Sequence, residues 1–205
     1  MRPTKPNETA RWLFGAVAPN YEKWAAILSL GQDARWRRAM VDGLALPAGA
    51  RVLDVAAGTG SISLLLERAG HQVVAVDLSQ AMISEHRGRW RVLSRGERLP
   101  FADDSFDAVT FGYLLRYVDD PATCLRELRR VLRPGGVMGM VEFGLPTGLW
   151  YPPWQLYTGG LLPAAGRLID PGWWEVGRFL RSSIEEFHRS HPDLGLLWSR
   201  ASPLL

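Results

Sequence analysis

The stretch from Arg51 to Asp77, RVLDVAAGTGSISLLLERAGHQVVAVD, constrains the fold more than any other part of the sequence. An apolar run leads into a glycine-rich turn, then into a run with helical spacing that Gly70 ends, and then into a second apolar run that ends on Asp77. Runs that are apolar throughout are typical of parallel strands covered by helices on both faces. The stretch therefore predicts a strand, a helix and a second, parallel strand, which is the repeating unit of an α/β sheet.

The same alternation continues to residue 143. We predict strands at Arg51–Ala56, Gln72–Asp77, Trp90–Ser94, Phe106–Tyr113 and Val137–Phe143. We predict the helices between them at Ser61–Ala69, from Ser79 to about Arg87, and at Ala122–Leu132. The sequence RPGG, residues 133–136, predicts the turn that leads into the fifth strand. This order predicts a doubly wound, mostly parallel α/β sheet of the Rossmann-like kind.

The chain has 205 residues, a length typical of a single domain. We divide that domain into an N-terminal helical cap over 1–45, a cofactor-binding α/β core over 46–144, and an aromatic-rich lid with a C-terminal helix over 145–205. Helical spacing in the cap runs from Thr9 to Leu44 with an interruption at Pro19, and Asp33 is predicted to cap the last helix.

Composition excludes several classes of protein. The net charge is only +3 and the arginines are dispersed, so we predict no nucleic-acid partner. Cys124 is the only cysteine, which rules out an intrachain disulfide and favours a reducing compartment. The sequence has neither the pattern of a signal peptide nor an apolar run that could span a bilayer, so we expect a cytoplasmic protein. The four histidines are scattered and lack further ligands, so we predict no metal site.

The glycine turn predicts a ligand site, because ligands of a doubly wound sheet bind at the carboxyl ends of its strands. Gly58 and Gly60 allow a tight turn and a close approach of the backbone to a ligand. Asp77 ends the second strand, where it can accept hydrogen bonds from two ribose hydroxyls. A merely structural turn explains the glycines alone but not an acid at this spacing, so we predict a cofactor that contains a nucleoside.

The charges near the glycine turn indicate which type of nucleoside-containing cofactor binds there. Asp54 lies four residues before Gly58, where an acid disfavours an anionic pyrophosphate and favours a cationic cofactor with a free amino group. Ser63 stands where a dinucleotide-binding fingerprint has its third glycine, and the turn lacks the lysine and Ser/Thr of a P-loop. These features favour S-adenosylmethionine, which carries an ammonium and a sulfonium group, over NAD.

Several motifs resemble those of class I methyltransferases that use S-adenosylmethionine: VLDVAAGTG, VVAVDLSQAMI, RLPFADDSFDAVT, LRELRRVLRPGG and VEF. More narrowly, APNYEKW and LSLGQDARWRR, with LLRYV and SSIEEF, are similar to the C-methyltransferases of menaquinone and ubiquinone biosynthesis. The resemblance extends from about Phe14 to Phe187. It implies methylation at carbon of a small hydrophobic aromatic substrate, a demethylmenaquinol-like quinol, with S-adenosylhomocysteine as the other product.

The resemblance also implies site residues. The cofactor-binding positions that match are Asp54, Gly58, Thr59, Gly60, Asp77 and Leu78, the last beside the adenine. Arg116 in LLRYV matches an arginine beside the substrate; it is a poor base, so we expect it to stabilise a phenolate or to orient a water. Tyr21 in NYEKW matches a tyrosine that closes over the site and can hold a proton-carrying water. Without the resemblance, the favoured interpretation of Tyr21 is an aromatic that packs the N-terminal helices, and that of Arg116 is a surface ion pair.

Some positions depart from the family's pattern. Arg95 stands where the family has an acid that holds the adenine amino group, and a cation cannot accept that hydrogen bond; Glu97 is a nearby candidate for the role. Ala25 and Tyr117 replace asparagines near the substrate. These changes favour two rival hypotheses: methylation of another small molecule at oxygen, nitrogen or carbon, and a catalytically weak subunit that binds the cofactor. An enzyme that uses a nicotinamide is a more distant alternative.

The family continues past SSIEEF with a β-hairpin for which this chain, ending in LLWSRASPLL, has no matching residues. We therefore expect the fifth strand to present an apolar edge. Three alternatives follow: a second copy pairs with this edge in a homodimer, the segment Gly144–Trp174 covers it, or the chain is a truncated product. That segment is rich in aromatic residues and poor in charge. It predicts either a lid that contacts a prenylated substrate or a membrane surface, or a patch over the sheet edge.

Overall fold

The computed structural model describes residues 3–193 of the chain. Its centre is a sheet of five parallel strands in the order β3-β2-β1-β4-β5. The strands are β1 (Arg51–Val55), β2 (Gln72–Asp77), β3 (Trp90–Leu93), β4 (Phe106–Gly112) and β5 (Leu132–Val141). The chain winds outward from β1 to β3, returns to the other side of β1 with β4, and continues outward to β5. The predicted doubly wound α/β fold is confirmed.

Helices cover both faces and one end of the sheet. They are α1 (Pro6–Val17), α2 (Tyr21–Leu28), α3 (Gln32–Gly43), α4 (Ser61–Arg68), α5 (Gln80–Glu85), α6 (Pro121–Val131), α7 (Tyr151–Leu156), α8 (Leu162–Ile169) and α9 (Pro171–Ser190). A π-helical segment, Tyr157–Leu161, joins α7 to α8. The predicted strand and helix positions therefore hold, with shifts of a few residues at the ends.

The hydrophobic core lies against the central strands. Leu128 of α6 packs in one cluster with Phe106 and Phe111 of β4, and all three are fully buried. Ile62 and Leu66 of α4 belong to a second cluster that covers β1. Burying a side chain of this size contributes about 1.5–3 kcal/mol, so these two layers fix the strands whose carboxyl ends form the site.

The fifth strand begins earlier than predicted, at Leu132 rather than Val137. Leu132 already pairs with Phe106, and the next pair is Val137 with Ala108, so the intervening residues form a bulge within the strand. Gly135 has a φ of 76°, which glycine adopts without strain. The RPGG sequence that predicted a turn before the strand is therefore a bulge inside it.

The predicted cap at Asp33 is wrong. Helix α3 begins at Gln32 after Gly31, whose φ is 74°, and Asp33 lies inside the first turn. Its side chain turns away from the helix end, because Asp33 Oδ1 accepts a hydrogen bond from Arg37 Nε at 3.0 Å. This places the carboxylate at the end of the sheet.

Helices cover the faces of β5. Met40 and Leu44 of α3 pack so closely on Gly139 that a Cβ there would lie 2.5 Å from Met40 Sδ. Met138 belongs to the same cluster as Phe187 of α9. Within residues 3–193, β4 is the strand that pairs with β5. The prediction about the missing hairpin falls on the chain end, and residues 194–205 lie outside the described ones. Over the described range, no helix is both long and apolar enough to cross a membrane.

Candidate active site

Two cavities adjoin at the carboxyl ends of the strands. The smaller, of about 100 Å³, lies between the glycine turn, the end of β2 and helix α1. The larger, of about 820 Å³, lies between α2, α3, the end of β5 and the α7–α9 segment. The residues that line both are aromatic: Phe14, Tyr21, Tyr113 and Tyr117. The two spaces therefore adjoin along an aromatic wall that both share.

The glycine turn needs its glycines for its own packing. Gly58 has a φ of 56° and Gly60 a φ of 101°, both in the region that side chains disfavour. A Cβ on Gly60 would lie 2.8 Å from Cδ2 of His86, and one on Gly58 would lie 3.1 Å from Cε of Met82. Gly58 and Thr59 line the smaller cavity, whereas Gly60 ends the turn and precedes α4.

Asp77 lies at the wall of the smaller cavity, as its position at the end of β2 predicts. Its Oδ2 accepts a hydrogen bond from the Gly58 backbone N–H at 2.8 Å, and its Oδ1 accepts one from that of Ser79 at 2.7 Å. Burial raises the pKa of Asp77, although these bonds oppose the shift. Each carboxylate oxygen has a second lone pair, so Asp77 can still accept two ligand hydroxyls. Leu78 lines the cavity beside it.

Asp54 lies behind the lining of the cavity. It is fully buried, its Oδ2 accepts a hydrogen bond from Ser63 Oγ at 2.6 Å, and its Oδ1 accepts one from Thr110 Oγ1 at 3.0 Å. Burial raises the pKa of Asp54 to about 6. The carboxylate thus links β1 to α4 and β4, and a direct contact with a cofactor stays a prediction.

Arg95, which stands where the family has an acid, does not line the smaller cavity. Arg95 is exposed, while its neighbours Ser94 and Gly96 line the smaller cavity. Glu97 Oε1 accepts hydrogen bonds from Asn7 Nδ2 and from the Asp119 backbone N–H, both at 2.8 Å. Glu97 therefore holds the start of α1 over the site. Asn7 lines the cavity, and no motif in the sequence indicated it.

Met82 is buried and also lines the smaller cavity. Thr59 donates a hydrogen bond to the carboxylate of Glu22, a further lining residue, and so ties the glycine turn to α2.

Arg116 lies at the wall of the larger cavity and is buried rather than at the surface. Its Nε donates to Glu142 Oε1 at 2.9 Å, and its Nη1 donates to Ser183 Oγ at 2.9 Å. The guanidinium carbon lies 4.9 Å from the ring centre of Tyr117 and 5.2 Å from that of Phe143. Burial opposes the charge, but Tyr117 and Glu142 hold the pKa of Arg116 above its ordinary value.

Tyr21 combines packing with a place in the site. It stacks on Trp173 with ring centres 5.9 Å apart and meets Phe14 edge-on at 6.0 Å, and it lines both cavities. Burial raises the pKa of Tyr21 to about 12, so its hydroxyl stays protonated at neutral pH. Ala25 lines the larger cavity one helical turn away.

Sequence reasoning missed a charged cluster at the wall between the cavities. Tyr113 donates a hydrogen bond to Asp33 Oδ1 at 2.6 Å, and Arg37 binds the same oxygen. Tyr113 has a φ of 57°, in the left-handed region that non-glycine residues seldom adopt. Asp33 and Arg37 are four residues apart on a helix, a spacing that indicates an ion pair, but only the fold places Tyr113 beside them.

Comparison with known proteins places the chain among methyltransferases. Residues 4–197 match the model of the ubiE/COQ5 methyltransferase family. A ubiquinone/menaquinone biosynthesis C-methyltransferase of Desulfotalea psychrophila is 39% identical over 186 residues, which cover 86% of this chain and 75% of that protein. A demethylmenaquinone methyltransferase of Renibacterium salmoninarum is 44% identical over 147 residues, covering 70% of this chain and 62% of that protein.

Solved structures are similar to the fold. A Thermotoga maritima protein, described as an SAM-dependent methyltransferase and possible histamine N-methyltransferase, matches with a TM-score of 0.54 at 26% identity. The match covers 63% of this chain and 60% of that one, so the chain spans less than two thirds of this neighbour.

Proposed function

The chain belongs to the ubiE/COQ5 methyltransferase family, and from that premise we propose that it methylates a ring carbon of a demethylmenaquinol-like quinol. The cofactor is S-adenosylmethionine and the by-product is S-adenosylhomocysteine. The observation that carries the proposal is the apolar cavity of about 820 Å³ that shares an aromatic wall with the pocket beside the glycine turn. A cavity of this size encloses a molecule of a few hundred daltons. The names of the relatives support a quinone as the substrate.

The residues around the smaller cavity have the chemistry expected for the nucleoside end of the cofactor. Asp77 keeps acceptor capacity towards the cavity, and Leu78 and Met82 offer apolar contact to an adenine ring. Gly58 and Thr59 bring the backbone to the cavity wall. When bound, S-adenosylmethionine supplies a methyl group on a positively charged sulfur, and the electron pair of the C–S bond remains on that sulfur. Asp54 contributes by holding the turn in place.

The larger cavity supplies orientation and charge. Methyl transfer requires the ring carbon to be aligned with the donor and water to be excluded, which the aromatic wall and the apolar lining favour. Arg116 stays protonated and stabilises the negative charge on an ionised quinol oxygen. Tyr21 lies between the two spaces, where its protonated hydroxyl can donate a hydrogen bond to that oxygen or to a water.

Two measurements test this function. Calorimetric titration with S-adenosylmethionine and S-adenosylhomocysteine should show binding of both, with NADH as the negative control. Mass spectrometry of a panel of demethylmenaquinols and unrelated phenols should then show methylation at carbon of the quinols. Cofactor binding with methylation of other phenols only would favour a different small substrate, and no cofactor binding would refute the proposal.

The exterior of the segment 148–169, which contains α7 and α8 and the short turn before them, supports a second part of the proposal, contact with a membrane surface that supplies a lipid-soluble quinol. Leu149 is 92% exposed, Trp150 77% and Leu168 89%, and Leu30, 79% exposed, also lines the larger cavity. Exposed apolar side chains of this size favour an interfacial contact. The protein should sediment with vesicles of phosphatidylglycerol and phosphatidylcholine.

The double substitution Leu149→Ser and Trp150→Ser should reduce that sedimentation. Leu64→Ser is the matched control, since Leu64 is an exposed leucine of α4. Equal sedimentation of the three proteins would contradict membrane contact through this segment.

We also propose that the chain is a cytoplasmic homodimer in which two copies pair through the outer edges of their β5 strands. The support is that β4 is the strand that pairs with β5 within residues 3–193. Light scattering after gel filtration tests the oligomeric state, and a monomer at micromolar concentration would refute the homodimer.

Fractionation of cells that carry the tagged chain tests whether the protein is cytoplasmic.

A further inference from the structure

The cluster at the aromatic wall contains an acidic residue that lines the substrate space. Asp33 lines the larger cavity, Arg37 lines the smaller, and Tyr113 lines both. The Asp33 side chain is 13% exposed. The three groups are therefore held at the place where the two cavities adjoin.

One oxygen of Asp33 makes all the contacts with this cluster. Oδ1 accepts the bond from Tyr113 Oη at 2.6 Å and the bond from Arg37 Nε at 3.0 Å. Oδ2 accepts no hydrogen bond from residues 3–193. An ionised carboxylate has acceptor capacity on both oxygens, so Oδ2 remains open to a group in the cavity.

From this arrangement we infer that Asp33 is the catalytic proton acceptor for the hydroxyl group of the substrate. The inference rests on the proposed function and adds the base that it requires. A quinol carbon becomes nucleophilic when a neighbouring hydroxyl ionises. The O–H bond breaks, its electron pair stays on oxygen and delocalises into the ring, and the proton passes to Asp33 Oδ2.

The proton balance closes after the new C–C bond forms. The ring carbon loses its hydrogen as a proton to water, and the electron pair of that C–H bond restores the aromatic ring. Asp33 returns its proton to the quinol oxygen and is again ionised. The net change in the substrate is the replacement of one ring hydrogen by a methyl group, with one proton released to solvent.

Other polar residues on the wall of the larger cavity are less suited to this step. Arg116 and the neutral hydroxyls of Tyr21 and Tyr113 are donors; burial raises the pKa of both tyrosines. Glu142 is the other carboxylate among the described lining residues. Its Oε1 accepts from Arg116 and from the Phe143 backbone N–H, and its Oε2 is enclosed within the protein.

Charged and polar groups on neighbouring elements face Asp33. Arg37 lies on the same helix and Tyr113 follows β4, and both bind its Oδ1. From α2, Tyr21 lies close enough to Asp33 for the two to interact electrostatically, and Glu22 lies near Tyr21 and Arg37. The left-handed backbone of Tyr113 aims its hydroxyl at Asp33, and strained conformations of this kind cluster at functional sites.

The test uses the whole chain with Asp33→Asn, which keeps the shape and removes the base. We expect kcat to fall by about 10²–10⁴-fold, the range of general-base catalysis, while calorimetry still shows cofactor binding. Asp42→Asn, an exposed acid on the same helix, is the control and should leave kcat unchanged. A series of quinols with electron-withdrawing substituents separates catalysis from structure. More acidic quinols ionise without a base and should recover most of the lost rate in the variant.

A loss that is equal across the series, or no loss at all, would overturn the inference. A second readout does not depend on turnover: 4-nitrophenol bound in the larger cavity changes its absorbance on ionisation. Because a carboxylate opposes a neighbouring negative charge, the bound phenol should ionise at a lower pH in Asp33→Asn than in the unmodified chain. No shift would refute the placement of Asp33, whereas cofactor binding without methylation of any quinol by the unmodified chain would refute the proposed function instead.

Discussion

The buried pair between Arg116 and Glu142 makes a prediction that can be worked out in detail. The two side chains are 1% and 5% exposed, so neither charge is solvated by bulk water. Substituting Glu142→Gln keeps the size of the side chain and an oxygen that can accept from Arg116 Nε. It removes the negative charge and leaves the guanidinium as an uncompensated buried cation.

The expected loss follows from two opposing contributions. Breaking a buried ion pair by removing one partner costs about 3–5 kcal/mol. The retained amide oxygen offsets part of this, since a neutral hydrogen bond contributes about 0.5–1.5 kcal/mol. We therefore expect the free energy of unfolding to fall by about 2–4 kcal/mol. The double variant Glu142→Gln with Arg116→Met leaves no charge unpaired and should be more stable than Glu142→Gln alone.

Equilibrium unfolding in urea measures these differences, provided that the slope of free energy against urea stays constant among the variants. Glu186→Gln is the control, because its pair with Arg189 is 64–70% exposed and solvent screens it. A loss of less than about 1 kcal/mol for Glu142→Gln would refute the reasoning, since it would mean that water or a rearranged partner compensates Arg116. A double variant less stable than the single one would do the same.

Three further predictions concern the glycine turn and the two acids at the ends of β1 and β2. Gly60→Ala should lower the free energy of unfolding by at least about 1–2 kcal/mol in urea, because φ is 101° and the new methyl would lie 2.8 Å from the His86 ring. Asp77→Asn should weaken S-adenosylmethionine binding by at least about tenfold in calorimetry, since a hydrogen bond to a charged acceptor contributes about 1.5–3 kcal/mol; unchanged affinity would remove Asp77 from the site. Burial raises the pKa of Asp54 from 3.8 to about 6, so the folded chain binds this proton more tightly than the unfolded chain does. The contribution of Asp54 to the free energy of unfolding therefore increases as the pH falls from about 6 to about 4. Between about pH 7 and about pH 4 the unmodified chain should therefore gain up to about 3 kcal/mol relative to Asp54→Asn, and parallel pH profiles would contradict the assignment.

The fold could be predicted from the sequence because the patterns that indicate it are local. The apolar runs of β1, β2 and β4 and the glycine turn each lie within a few residues, and strand–helix alternation has few topological solutions. The methyltransferase interpretation is confirmed by the family match, which rests on the same local motifs. Errors arose where one residue type serves two structures. Asp33 has the chemistry of a helix cap but lies inside the helix, and RPGG is a bulge rather than a turn.

Only part of the site could be predicted from the sequence, because its geometry joins residues that are distant in the chain. Asp77 and Leu78 follow from their position at the end of a strand, and they line the smaller cavity. Arg95 and Glu97 show the opposite case. They are two positions apart, yet the Arg95 side chain is exposed to solvent and the Glu97 side chain binds Asn7 near the start of the chain.

By itself, the sequence determined the winding of the sheet, the glycine turn and the chemistry of the family, since each depends on neighbouring residues and on backbone preferences. Only the tertiary structure decided that Asp54 lies behind the cavity and that Arg116 is neutralised by Glu142. It also decided that Tyr113 meets Asp33, which lies 80 positions earlier. Such contacts depend on how the helices pack over the strand ends, and no local pattern encodes the distance between two side chains that folding brings together.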